Sequence, residues 1–299
     1  MSEINYIGIF LLPTSVLGVI LTFLIVLAVF LPSKSKKTSF AFTIGCLSLI
    51  ENILAIWFLV LFLPMSILNI PSLLSISGKI RIGIHILFSF VGFHHVIITL
   101  NRLVAIWRPL SYHHVFSIPK SKVLSLSCVL GLSLSRSITM IFVRCDYYFD
   151  KNSLSFLPLT NSPLCQYFPI IEECVYYMAT IILTVVINLI TIYFFHRLQH
   201  KLHYEFMTSE FLRRKEVQLI KLVSFQTIVF IFSAISYQSV QFHIYSSINA
   251  QFLIKFFPCA STPFFDSLLV IIFNSEIRSK VLVLFRKIVG FLRMICGRQ

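Results

Sequence analysis

The sequence predicts an all-α membrane protein, folded as a bundle of seven transmembrane helices. Seven apolar stretches are each long enough to cross a bilayer, since a helix needs about 20 apolar residues to span the hydrocarbon. The composition is 57% hydrophobic and only 12% charged, which is unusual for a soluble domain. Lys and Arg are concentrated in alternate loops. Helices are the expected spanning elements, because open strands would leave backbone groups unpaired in lipid.

The spans are predicted to form one domain over residues 1–299. We expect the first span to be retained, because Glu3 precedes it and no Lys or Arg does, whereas a cleaved signal peptide begins with a positive segment. In chain order, the spans are predicted at about residues 7–31, 40–63, 80–107, 123–143, 174–195, 217–240 and 252–273.

The segment after the seventh span is amphipathic. Its apolar residues recur at helical spacing, with basic residues largely on the other faces; they are Ile277, Val281, Leu284, Phe285, Ile288 and Leu292. This pattern predicts a short eighth helix at about residues 276–292, lying on the anionic inner leaflet. Cys296 is a candidate site of palmitoylation.

The basic residues predict the orientation. Most of the 25 Lys and Arg residues follow spans one, three, five and seven. By the positive-inside rule, the N-terminus is extracellular and the C-terminus cytoplasmic in a multi-pass plasma-membrane protein. The net charge of +14 is therefore mainly a topology signal, and we expect no nucleic-acid partner.

The inner end of span three carries a short motif. Asn101 and Arg102 are followed, six residues later, by Pro109-Leu110-Ser111-Tyr112. An Arg at the rim of a bundle either reaches to lipid phosphates or pairs with an acid. The segment resembles the Asp/Glu-Arg-Tyr motif and second inner loop of rhodopsin-like G-protein-coupled receptors, with Asn101 in the acidic place.

A second segment lies at span seven. Asp266 lies in an apolar stretch and is followed, eight residues later, by an Asn in Phe273-Asn274-Ser275-Glu276-Ile277-Arg278. Together with the Asn101 motif, it resembles the nematode serpentine chemoreceptors of class X. The resemblance implies a rhodopsin-like receptor that binds a small molecule of the odorant or pheromone class. It also implies activation of a heterotrimeric G protein, and localisation that extends to sensory-neuron cilia.

Activation residues follow from the same resemblance. It implies that Arg102 holds the closed state by bonding an acid on span six, for which Glu216 is the nearest choice. Ordinary surface pairing of Glu216 with Arg213 or Lys215 is the alternative. Span six lacks Pro, and span seven lacks the Asn-Pro-x-x-Tyr motif of the broader group. Asn101, Arg102, Pro109, Tyr112 and Glu216 are the predicted switch.

Polar residues inside the spans predict a second site. An acid at the membrane centre costs about 2.5–3.5 kcal/mol on insertion scales, so such residues should face the bundle. Glu51, Asn188, Asp266 and Asn274 are predicted to share a polar network. A proton or cation relay of a transporter is the alternative.

The outer half of the bundle is predicted to hold the ligand. Apolar walls with a few polar groups suit a compact organic molecule. The chain has 31 Phe and 11 Tyr, so some of these aromatics are expected to be core residues or membrane anchors instead. The candidate pocket residues, chosen by similar depth, are His85, Phe88, Glu173, Tyr176, Tyr177, Tyr237, Gln238 and Phe252.

The loop after span four is predicted to contain a disulfide. It faces an oxidising compartment, so Cys145 and Cys165 are expected to pair and to contribute about 3 kcal/mol. Cys174 is a competing partner.

No site for a metal or other cofactor is predicted. The adjacent pairs His94-His95 and His113-His114 differ from ligands spaced four residues apart on one helical face. The sequence contains no phosphate-binding loop and no catalytic triad, so it does not predict an enzyme. The alternatives to a receptor are a ligand-gated cation channel of inverted orientation and a small-solute transporter.

Overall fold

The protein is described by a computed structural model that covers residues 3–31, 38–68, 70–127, 130–131, 146–150, 155–159, 163–205, 210–239 and 248–296. It confirms the predicted all-α membrane class. The long helices are α1 (Glu3–Phe30), α2 (Ser39–Trp57), α4 (Ser77–Trp107), α7 (Pro163–Glu205), α8 (Glu210–Ser239), α9 (Ile248–Phe273) and α10 (Ser275–Cys296). Shorter helices are α3 (Pro71–Ser75), α5 (Tyr112–Val115) and α6, of which 118–127 and 130–131 are described.

Six helical segments among the described residues are long and apolar enough to cross a membrane. The fourth predicted span, 123–143, lies largely outside the described residues. The six segments are Leu11–Phe30, Ser39–Leu68, Ser77–Trp107, Cys174–Leu198, Glu216–Tyr237 and Leu253–Phe273.

Helix contacts close a ring within the described bundle. Helix α1 lies between α2 and α9, α8 packs on α9 and α7, and α4 joins α7 to α2. The buried faces meet in one core that includes Leu54, Phe62, Phe88, Phe230 and Phe256. Large apolar side chains on the opposite faces are exposed, among them Phe23, Leu189 and Phe232. Apolar side chains on the outward faces of the helices suit contact with lipid, because lipid tails are as apolar as Leu side chains.

Helix α2 changes its winding at its C-terminal end. Two π-helical turns, Phe58–Phe62 and Pro64–Leu68, continue it beyond Trp57. Pro64 has no amide proton to donate to the preceding turn, which favours local rewinding. The π-helical turns place Phe62 in the core, where its ring centroid lies 4.4 Å from that of Phe256.

A β-hairpin, absent from the sequence-based prediction, packs where α4 begins, at the end of the bundle that the sequence predicts to be the outer one. Strands β1 (Tyr147–Asp150) and β2 (Ser155–Pro158) are antiparallel. Tyr147 and Phe149 are buried, whereas Tyr148 is 40% exposed, so alternate side chains face the bundle as strand geometry requires. The amide of Phe149 donates to Ser77 Oγ at 3.1 Å. A Cβ on Gly78 would lie 2.5 Å from the carbonyl oxygen of Tyr147, so this close approach needs glycine.

Helix α10 turns away from α9 at Asn274. The side chain of Asn274 accepts a bond from the Ile277 amide at 3.2 Å and so caps the new helix. Arg278 donates to the carbonyl of Ile272 at 2.9 Å, which satisfies an unpaired group at the end of α9. Ile277 and Val281 are buried, and the neighbouring polar residues are not, which gives the amphipathic character.

Candidate functional site

The end of the bundle where α4 finishes, predicted from the sequence to be the inner end, holds a chain of hydrogen bonds. Tyr112 donates its hydroxyl to Asn101 Oδ1 at 2.9 Å, and Asn101 Nδ2 donates to Ser39 Oγ at 3.4 Å. Ser39 Oγ lies 2.6 Å from Ser121 Oγ. Four helices, α5, α4, α2 and α6, are thereby connected through short side chains. We call Asn101, Arg102, Tyr112, Glu216 and Ser39 the inner cluster.

Arg102 is the charged member of the inner cluster. Its guanidinium carbon lies 3.2 Å from the centroid of the Phe40 ring, and Nη1 lies 3.6 Å from Glu216 Oε2 across the gap between α4 and α8. Arg102 is buried, whereas the Glu216 side chain is 42% exposed. Within the described chain, Arg102 Nε has no hydrogen-bond partner. The Arg102–Glu216 contact is therefore a loose ion pair, made through a buried oxygen of a side chain that is otherwise partly exposed.

Tyr112 is positioned by the turn that follows α4. Pro109 is exposed, and its carbonyl accepts the Tyr112 amide at 3.4 Å, which directs the ring back onto the bundle. Burial raises the pKa of Tyr112 above 10.0, although Arg102 and the bond to Asn101 act in the opposite direction. The phenol is therefore neutral at physiological pH and available as a donor.

Halfway through the bundle, three helices bring ionisable side chains together. Glu51 from α2, His95 from α4 and Asp266 from α9 each offer one atom, and these atoms lie within 4.8 Å of one another. All three residues are at most 2% exposed. His95 Nε2 lies 3.4 Å from Asp266 Oδ2. We call Glu51, His95 and Asp266 the central triad.

The predicted polar network is thus divided in the structure. Glu51 and Asp266 meet, but Asn188 donates to Thr227 Oγ1 at 2.7 Å between α7 and α8. Asn274 is engaged in capping α10. A short amide side chain bonds the nearest acceptor, so these two asparagines form local contacts rather than one shared network. His95 is the member of the triad that the sequence analysis missed, because it was considered only beside its neighbour His94.

An aromatic site occupies the half of the bundle that the sequence predicts to be the outer one. His85 Nε2 lies 3.0 Å from the Tyr237 hydroxyl, and the Phe88 and Tyr177 ring centroids lie 5.6 Å apart. Tyr176 donates its hydroxyl to the carbonyl of Ser89 at 2.9 Å. The structure therefore brings five of the eight predicted pocket residues together. We call His85, Phe88, Tyr176, Tyr177 and Tyr237 the outer cluster.

Two buried cations adjoin the outer cluster. Arg81 donates from Nε to His85 Nε2 at 3.3 Å, and its guanidinium stacks 3.7 Å from the Tyr147 ring centroid. Lys255 Nζ lies 5.0 Å from the Tyr237 ring centroid. Both lie within the predicted spans, at residues 80–107 and 252–273, but neither was predicted to belong to a site. Arg81 lies four residues before His85, and Lys255 borders an apolar run. These two patterns could have indicated that both side chains are buried.

The remaining predicted site residues lie outside the described part of the chain. This holds for the side chains of Glu173, Gln238 and Phe252, and for Cys145. Cys165 is disulfide-bonded and buried beneath the hairpin, where its carbonyl accepts the Tyr147 hydroxyl at 3.3 Å. Cys174 is present as a thiol.

Comparison with known proteins identifies the family of this arrangement. The family model described as serpentine type 7TM GPCR chemoreceptor Srx matches residues 12–274. No curated protein matches the chain. The matched region contains all three side-chain clusters and ends at Asn274, at the junction with α10.

Proposed function

The chain belongs to the Srx family of serpentine 7TM GPCR chemoreceptors, and we propose that it binds a small molecule outside the cell and activates a heterotrimeric G protein inside. It is a multi-pass membrane protein. The ligand would be of the odorant or pheromone class. The plasma membrane, including sensory-neuron cilia, would be its location, with the N-terminus outside and the C-terminus in the cytoplasm.

The observation that carries this proposal is the contact between Arg102 and Glu216. It joins the inner ends of α4 and α8 at 3.6 Å and so closes the space between them. In the closed state the pair would exclude a partner helix. Separation of α4 from α8 would open a groove for the C-terminal helix of a Gα subunit, a helix-in-groove mode of recognition.

The outer cluster supports the ligand-binding part of the proposal. Rings from α4, α7 and α8 supply apolar walls, and the Tyr237 hydroxyl and His85 supply a polar contact. Such a mixture suits a compact organic molecule with one hydrogen-bonding group. The hairpin packs over this cluster through Tyr147 and Phe149, so it would cover one end of the ligand site.

Signal transmission would follow from a shift between two states. A ligand changes the equilibrium only by the difference between its affinities for those states. The outer and inner clusters share α4 and α8, since His85 and Tyr237 lie on the same helices as Arg102 and Glu216. A ligand that separates Tyr237 from His85 would therefore favour separation of Glu216 from Arg102.

Membrane attachment of the C-terminal segment completes the proposal. Helix α10 has exposed Arg278, Arg286 and Lys287, which suit anionic lipid of the inner leaflet. Acylation of Cys296 would add a second anchor.

Heterologous expression with a chemically diverse odorant panel and a promiscuous G-protein reporter tests the function. We expect a response that disappears in cells lacking Gα subunits. Arg102→Ala should raise signalling in the absence of ligand, because it removes the contact that closes the space between α4 and α8, whereas Arg108→Ala should leave signalling unchanged. Arg108 is a matched control because it lies on the same helix end but is exposed and stacks on Trp107 at 4.4 Å. An ionic current that persists without Gα would contradict the proposal and favour a channel.

A further inference from the structure

The central triad is an unusual arrangement of charge for the interior of a membrane bundle. Two carboxylates, Glu51 and Asp266, and the imidazole of His95 converge from three helices with 1%, 0% and 2% exposure. Two like charges brought close together without water repel each other strongly. Some additional group must compensate this charge if both acids are ionised.

The lone pairs of the triad are available for such a group. Outside the triad itself, Glu51 Oε1, both Asp266 carboxylate oxygens and His95 Nε2 have no hydrogen-bond partner among the residues that the structure describes. Buried polar atoms are normally bonded, and each exception needs an explanation. These four atoms belong to three residues whose ligand atoms lie close together. A single bound group would therefore account for all four.

Two ionised carboxylates would carry two negative charges. An imidazolium at 3.4 Å from Asp266 would neutralise one carboxylate and leave Glu51 uncompensated. A divalent cation bound by neutral imidazole and two carboxylates would make the net charge zero. Neutral His95 would then carry its proton on Nδ1, which leaves the Nε2 lone pair for the cation.

The donor set identifies the class of cation. Imidazole nitrogen favours Zn²⁺ and related transition metals, whereas Ca²⁺ and Mg²⁺ favour sites made of oxygen alone. Tetrahedral Zn²⁺ with bonds of about 2.0–2.1 Å places neighbouring ligand atoms roughly 3.3–3.4 Å apart. The separation of His95 Nε2 and Asp266 Oδ2 is 3.4 Å. Three protein ligands would leave the fourth position for water.

We propose that Glu51, His95 and Asp266 form a binding site for Zn²⁺ or a similar divalent transition metal in the middle of the bundle. The ion would join α2, α4 and α9 at a level between the outer and inner clusters. Its role is to stabilise the bundle, independently of which ligand or G protein the receptor engages.

The test uses the full-length protein, purified in lipid nanodiscs and stripped of metal with a chelator. Titration with Zn²⁺ should raise the thermal midpoint by at least about 5 °C at saturation, since a ligand bound only by the folded state stabilises it. Titration with Co²⁺ should give the visible absorption bands of a tetrahedral complex. His95→Gln should abolish both effects.

His94→Gln is the matched control. His94 is the preceding residue on α4 and is equally buried, but its Nδ1 lies 3.0 Å from the Phe90 carbonyl and it does not belong to the triad. We expect this variant to retain the Zn²⁺ shift and the Co²⁺ spectrum. Equal responses of wild type and His95→Gln would overturn the proposal, because the metal would then be bound elsewhere.

A second variant covers the case in which His95→Gln does not fold. Glu51→Gln combined with Asp266→Asn removes both charges and keeps the side-chain shapes, so it should fold without metal and show no Zn²⁺ shift. Stabilisation of the wild type by NaCl relative to choline chloride, without a Co²⁺ spectrum, would overturn the proposal in favour of a monovalent cation. Stabilisation by low pH alone, with no response to Zn²⁺, would overturn it in favour of protons.

Discussion

The two ends of the bundle are held together by different chemistry. At the outer end, Tyr177 is 1% exposed and its ring packs edge-on against Phe88 at 5.6 Å. At the inner end, Arg102 reaches a Glu216 side chain that is 42% exposed. Aromatic packing in a dry interior resists separation of the helices, whereas a half-exposed ion pair is worth only about 0–1 kcal/mol.

This difference suits the proposed direction of signalling. A closely packed outer cluster changes only when a molecule of matching shape replaces existing contacts. A weak inner pair can then be opened by the coupling energy that ligands commonly supply, about 1–3 kcal/mol. Substitutions at four positions distinguish a rigid outer end from a labile inner end.

The largest effect is expected at the contact between the hairpin and α4. Gly78→Val should lower the free energy of unfolding by about 2–3 kcal/mol, because a Cβ there meets the Tyr147 backbone oxygen at 2.5 Å. Backbone cannot rotate away as a flexible side chain can. Thermal unfolding of the purified protein measures the change.

Gly290→Val provides the control for that substitution. Gly290 also lies in a helix, but nothing lies within 4 Å of its Cβ position. The two variants share the same change in helix propensity, so the difference between them isolates the contact with Tyr147. Equal unfolding midpoints would show that the hairpin does not depend on close approach to α4.

The next effect concerns the polar contact inside the outer cluster. Tyr237→Phe keeps the ring and removes the hydroxyl that lies 3.0 Å from His85 Nε2. We expect the free energy of unfolding to fall by about 1 kcal/mol. Tyr193→Phe is the control, since Tyr193 is 61% exposed on a lipid-facing surface. A loss of the same size in both variants would mean that the contact with His85 contributes nothing.

A smaller effect is expected at the inner end. Glu216→Ala should raise basal signalling by up to about 5-fold, the ratio that corresponds to an exposed ion pair of about 1 kcal/mol. A G-protein reporter at equal surface expression measures it. Glu276→Ala is the control, because it removes another inner ion pair, to Lys280 at 3.0 Å. Unchanged basal activity of Glu216→Ala would show that Arg102 does not restrain the closed state through this acid.

The smallest effect is a pH dependence at Tyr112. Burial raises the pKa of its phenol, so the stabilisation from the neutral donor should be constant between about pH 6 and 9 and be lost as the pH rises through that raised pKa. The difference in thermal midpoint between wild type and Tyr112→Phe measures this stabilisation. A difference that already falls near neutral pH would contradict a buried, neutral phenol.

The sequence predicted the membrane class and the site at the end of α4 because both depend on local pattern. Hydropathy marks the apolar part of a helix, and the short spacing from Arg102 to Tyr112 predicted which inner residues are neighbours. The same reasoning predicted a span at 174–195, close to the apolar segment Cys174–Leu198, but not the continuation of α7 from Pro163 to Glu205. A hydropathy pattern does not detect the polar turns that extend a helix beyond the membrane.

The central triad and the hairpin depend on contacts between distant segments. His95 meets Glu51 and Asp266 only after α2, α4 and α9 pack together, so a search for ligands spaced along one helix missed it. The hairpin likewise needs Gly78 and Ser77 of α4 as a platform. In the sequence, neither Gly78 nor Ser77 indicates that a strand packs against α4.

Helix α7 has 43 residues, which corresponds to a rod of about 65 Å at 1.5 Å per residue. The hydrocarbon occupies only about 30 Å of that length. A continuous rod converts a small rotation into a large translation: tilting it by about 5° around one tip moves the other by roughly 6 Å, close to one helical pitch. A spectroscopic label attached near Glu205 would therefore report angular changes too small to measure at the level of Tyr177.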